Sequence, residues 1–82
     1  MMLTTGAVAD ILSLCLDAPQ GFTADFVRGQ VLDGLLAARV HWRGGTRARA
    51  RIRIHPDDLV SYCQAHHAEI VPAVRARLHL SA

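Results

Sequence analysis

Arg47-Ala48-Arg49-Ala50-Arg51-Ile52-Arg53-Ile54 alternates a basic side chain with a small or apolar one. Successive side chains of an extended chain leave on opposite faces, so a period of two marks a strand with one face in solvent and the other on a core. The four arginines share one face, and Ala48, Ala50, Ile52 and Ile54 share the other. The isoleucines are large enough to pack on a body of helices. The alanines ask for no core and suit a part of the strand that projects from it. Upstream, Gly44-Gly45 is a turn signal of the hairpin kind, and Arg39-Val40-His41-Trp42-Arg43 reads as the extended partner. The stretch is therefore predicted to be a β-hairpin with an arginine face.

Helical patterns flank it. Val8, Ile11, Leu12, Cys15 and Leu16 recur at three- and four-residue spacing behind Thr4 or Thr5, either of which can cap a first helix. Pro19 and Gly21 mark a turn, so this helix is expected to end near Asp17. A second helix opens at Thr23, with Asp25 at the positive end of its dipole and Phe22 placed to staple onto Phe26 or Val27. Its apolar pattern runs through Val27 and Val31 to Leu35 and Leu36, and Gly34 reads as lying near its C-terminus. A third helix starts at His55-Pro56, with Asp57 and Asp58 in its first turn and Leu59, Val60, Tyr62 and Cys63 on its apolar side. Pro72 interrupts or kinks the chain past this helix, and residues 69–80 are predicted to add a short amphipathic segment.

Eighty-two residues make one domain, here with a core over about residues 3–67 and a C-terminal segment over 68–82. The expected fold class is α+β, in the order helix, helix, β-hairpin, helix, with a short C-terminal helical segment. No apolar run reaches the length of a bilayer span, and no basic stretch precedes an apolar core at the N-terminus. A cytoplasmic protein without a membrane partner is expected. Only two cysteines occur, Cys15 and Cys63, which fits reduced, buried thiols.

The formal net charge is only +2, but its distribution is uneven. All nine basic residues are arginine, six of them fall between Arg39 and Arg53, and no acid occurs between Asp33 and Asp57. A positive block on a nearly neutral remainder is the electrostatic footprint of a polyanion partner.

Several stretches resemble those of a known family. Residues 3–12, Leu3-Thr4-Thr5-Gly6-Ala7-Val8-Ala9-Asp10-Ile11-Leu12, look like the opening helix of excisionase-type domains. Val27-Arg28 followed by Leu32-Asp33-Gly34-Leu35-Leu36-Ala37-Ala38 is similar to their recognition helix and its exit. Arg51-Ile52-Arg53-Ile54-His55-Pro56-Asp57-Asp58-Leu59 resembles the second strand of the wing running into the closing helix. Mercury-resistance-type (MerR) regulators share this module. The likeness spans about residues 3–66, and the segment 13–21 is longer than the tight turn that joins the first two helices in those domains.

The resemblance implies a small winged helix-turn-helix that binds double-stranded DNA. The second helix would enter the major groove, and the wing would follow the backbone or the adjacent minor groove. Thr23, Arg28 and Gln30 are the expected contacts of the helix, with Arg28 and Gln30 as base readers. Arg39, Arg43, Gly44, Gly45, Arg47, Arg49 and Arg51 are the expected contacts of the wing. An integrase or the transcription machinery would be the further partner, according to whether the chain directs excision or occupies a promoter. The rival reading is a protein-interaction module that holds an acidic partner on the same wing. Trp42 is either a core anchor or a stacking surface. Val71, Val74, Leu78 and Leu80 form an apolar strip that either pairs two protomers, or neighbours along DNA, or folds back on the first helix.

Catalysis is not expected. No glycine-rich phosphate loop precedes a helix, no paired carboxylates flank an apolar pocket, and Cys63 and His66 lie too close on one helix to act as nucleophile and base. Cys63-x-x-His66-His67 has ligand-like spacing, yet Cys63 falls on an apolar face and only Cys15 or His79 would complete a tetrahedron. Neither a metal nor another cofactor is expected.

Overall fold

Each of the three longer helices begins where a side chain accepts a backbone N–H that the first turn leaves unpaired. In the computed structural model, which describes residues 2–17, 21–41 and 51–79, helix α1 spans Thr5–Leu16, α2 Ala24–Leu32 and α3 Pro56–His66. Thr4 Oγ1 accepts from the Ala7 amide at 3.0 Å and Thr23 Oγ1 from the Phe26 amide at 3.1 Å. His55 Nδ1 accepts from the Asp57 amide at 3.1 Å, one residue beyond a proline whose fixed φ suits the start of a helix. Helix α1 stops at Asp17, which takes a left-handed conformation at φ 50°.

Helix α2 ends earlier than its apolar pattern suggests. Gly34 adopts φ +82°, its amide donates to the Val31 carbonyl at 3.0 Å, and the next amide, of Leu35, reaches back to Gln30 O at 2.9 Å. These two bonds are a Schellman closure, which depends on a residue that accepts positive φ. The chain then turns Leu35 outward and buries Leu36 without helical geometry.

Strands β1 (Arg39–His41) and β2 (Arg51–Arg53) pair antiparallel, with Arg39 opposite Arg53, Val40 opposite Ile52 and His41 opposite Arg51. Leu3 adds a bridge on the far side of β2: its amide donates to Ile54 O at 2.7 Å and its carbonyl accepts from the Ile54 amide at 2.8 Å.

One core joins these elements. Val8 and Leu12 of α1, Val27 and Val31 of α2, Ile52 and Ile54, and Leu59, Val60 and Cys63 of α3 are all buried in it. A single 3-10 turn, Ala68–Ile70, leads into a fourth helix, α4, at Val71–Arg77, which starts where Pro72 can be tolerated. This helix packs on α1 and α3, and Val74 is 0% exposed. Val71 and Leu78 lie partly buried against the same core. Of the two fates open to this strip, Val74 takes the fold-back one and is core rather than an exposed protomer interface, because α4 covers a core that the other described elements leave open, while Val71 and Leu78 keep part of their surface exposed. Leu80 lies outside the described residues.

Candidate nucleic-acid interface

The two-stranded sheet sorts its side chains by the pleat. Val40 and the buried Ile52 face each other toward the core side, so the pairs on either side of them in the register, Arg39 with Arg53 and His41 with Arg51, share the other face. Arg39, His41 and Arg51 are exposed, and Arg53 is half-buried with Nη1 donating to the Ile52 carbonyl at 2.9 Å. Among the described residues no carboxylate pairs with Arg39, Arg51 or Arg53. Like charges directly opposite one another weaken a strand pair unless an anion lies between them. Phosphate oxygens satisfy a guanidinium in the same bidentate manner as a carboxylate. The remaining expected wing contacts, Arg43, Gly44, Gly45, Arg47 and Arg49, and also Trp42, lie outside the described residues.

On α2 the expected contacts separate. Thr23 is exposed, and its hydroxyl is occupied as the cap. Arg28 is half-buried on the flank of the helix. Gln30 is engaged from within: the Tyr62 hydroxyl donates to Gln30 Oε1 at 2.8 Å, tying α2 to α3. Bidentate reading of adenine would use that same oxygen together with the amide NH2, so the base reading expected of Gln30 competes with this internal bond. No feature of linear spacing links a tyrosine to a glutamine in another helix, so the sequence carries no sign of this contact.

The start of α2 is braced by rings. Phe22 and Phe26 have centroids 5.0 Å apart, and the Phe22 ring meets His67 at 6.5 Å. Tyr62 lies 6.0 Å from His67 and 4.8 Å from His66. The Ser13 hydroxyl of α1 accepts from the Phe22 amide at 2.6 Å and donates to the Ala9 carbonyl at 2.8 Å. The long connection between α1 and α2 is thereby held at its far end, and the helix entry is fixed by both neighbours.

The thiol of Cys63 is fully buried, and burial pushes its pKa up to about 11, with Cys15 and Glu69 adding to the rise. Such a thiol stays protonated at neutral pH. Among the described residues no three histidine, cysteine, aspartate or glutamate side chains group together as a metal site would require. No described helix is long and apolar enough to cross a membrane.

No family model, curated protein or solved structure matches this chain.

Proposed function

We propose that this chain is a double-stranded DNA-binding module of the winged helix-turn-helix kind, in the manner of an excisionase or a small transcription regulator. The observation that carries the reading is the sheet face on which Arg39 and Arg51 stand exposed, across the register from Arg53 and His41, with no carboxylate partner among the described residues. A duplex supplies a row of phosphates, which removes the repulsion between facing arginines and releases condensed counterions. The four-helix α+β body with its antiparallel strand pair is compatible with such a module.

The test is a salt titration of binding to an arbitrary duplex, followed by fluorescence anisotropy. Affinity should fall linearly on a log–log plot, and Arg39→Ala with Arg51→Ala should reduce the slope by about two units, one for each lost phosphate contact. Wild-type protein that binds no duplex at low salt, or a double variant with an unchanged slope, would overturn the reading. Tight binding of an acidic protein or peptide in place of the duplex would establish the rival, a protein-interaction module.

A further inference from the structure

The side of α2 that lies opposite its buried residues carries neither Arg28 nor Gln30. Val27 and Val31 are buried, and at about 3.6 residues per turn the positions opposite them follow Asp25, Gly29 and Asp33 at four-residue steps. Asp25 is exposed, and no hydrogen bond or ion pair with another described residue engages its carboxylate. Arg28, Gly29 and Gln30 are all half-buried, and the exposed residues of α2 are Asp25 and Phe26, both in its first turn.

Gly29 is anomalous on grounds internal to the protein. A glycine in the interior of a helix weakens it relative to alanine. Nothing among the described residues asks for this one: a Cβ placed there would meet no atom within 4 Å. Its backbone is not in the left-handed region that favours glycine. A glycine that no described neighbour requires, with open space where its Cβ would stand, lets another molecule approach the helix axis closely.

In the first turn of a helix laid in the major groove, a side chain meets base edges. A carboxylate there accepts hydrogen bonds and cannot donate, and the matching donor on the bases is the N4 amino group of cytosine. We propose that Asp25 is the specificity-determining residue of α2, accepting from a cytosine N4, and that Gly29 provides the clearance that brings Asp25 to it. This rests on the DNA-binding reading above. Near phosphates an aspartate repels on every sequence, so it lowers general affinity and is compensated only where cytosine stands. Its removal should therefore act in two directions, loosening the choice of site while leaving binding to arbitrary DNA as tight or tighter.

The experiment is site selection from a randomised duplex pool with the full chain and its Asp25→Ala, Asp25→Asn and Gly29→Ala variants. Each protein is also titrated with the wild-type site and with one arbitrary duplex, and folding is followed by circular dichroism. The wild type should select a cytosine at one position with about tenfold discrimination. Asp25→Ala should lose that discrimination without losing affinity for the arbitrary duplex. Asp25→Asn, which preserves the polar first turn, should shift the preference toward adenine. Gly29→Ala should melt at a higher temperature and bind the selected site several-fold more weakly. A wild-type pool without a cytosine position, aspartate variants that select the unchanged site, or Gly29→Ala binding as tightly as wild type would each overturn the assignment while the DNA-binding reading stood. Failure of the wild type to bind any duplex would instead defeat that reading and this assignment with it.

Discussion

The Tyr62 hydroxyl donates to Gln30 Oε1 at 2.8 Å, across 32 positions of sequence. Tyr62 is buried apart from its edge, so its hydroxyl needs a partner inside the protein, and Gln30 supplies one at the last turn of α2. The same residue offers its carbonyl to the amides of Leu35 and Leu36. The end of α2 is thus anchored to α3 through one glutamine, by both its side chain and its backbone.

Tyr62→Phe keeps the ring and deletes the donor. It should cost about 1 kcal/mol, which for a domain of this size is a fall in Tm of roughly 4–8 °C. Gln30→Ala should cost a similar amount, and the double variant should show a coupling of about 1 kcal/mol. Additive losses in urea unfolding would show that the bond contributes nothing. In duplex selection Gln30→Ala should return the wild-type site, since its side-chain oxygen is already bonded to Tyr62.

Ser13→Ala should destabilise more than an exposed helix substitution. It leaves the Phe22 amide without its acceptor, at an expected cost of about 1–2 kcal/mol. Gly21→Ala tests the same junction from the other side. Gly21 has φ +67°, and an added Cβ would lie 3.0 Å from Ser13 Oγ. Strain of about 1–2 kcal/mol is expected from the backbone alone. A denaturation midpoint equal to wild type in either variant would remove the junction from the account of stability.

Val74→Ala removes two methyl groups from a fully buried site and should cost about 2 kcal/mol. Truncation after Ile70 removes all of α4 and should lower the Tm further, with the oligomeric state unchanged by light scattering. A truncated chain that melts like the full one but changes its association would restore the interface reading of Val71, Val74 and Leu78.

Alkaline pH should weaken the fold through Cys63. The neutral form of a thiol is the protonated one, and burial holds the proton on up to about 11, against an ordinary value of 9.0. Below the ordinary value both folded and unfolded chains keep the proton, and Cys63 adds no pH dependence. Between the two values the unfolded chain sheds a proton that the folded chain retains, so stability falls as pH rises. Tyr62 is raised for the same first reason, burial, and extends the fall beyond its ordinary 10.0. Urea midpoints from about pH 8 to 10.5 should decline, and Cys63→Ala should start lower but decline less steeply. Parallel slopes would exclude Cys63 as the cause.

What the sequence made legible was local. Thr4, Thr23 and His55-Pro56 mark helix starts because a cap is a contact between near neighbours. The alternation at Arg51, Ile52, Arg53 and Ile54 dictates a sheet face because the pleat has a fixed period. Contacts made between distant segments left no such trace. The Gln30–Tyr62 bond, the Leu3–Ile54 bridge and the burial of Val74 all depend on how elements meet after folding. The candidate site divides along the same line. Arg39 and Arg51 are exposed where the strand pattern puts them, whereas which α2 side chains face outward depended on the burial of Val27 and Val31 against the other elements.

The bridge between Leu3 and Ile54 bears on the order of assembly. Its two hydrogen bonds fasten the lead-in to α1 onto the residue just past β2, so the pairing cannot exist until the chain between them has been made and gathered. Closing so long a loop is entropically slow, and little is gained until it closes. The helices, built from contacts between near neighbours, have no such requirement. The amides of Leu3 and Ile54 should then exchange with deuterium only when the whole domain opens, which makes them reporters of global unfolding.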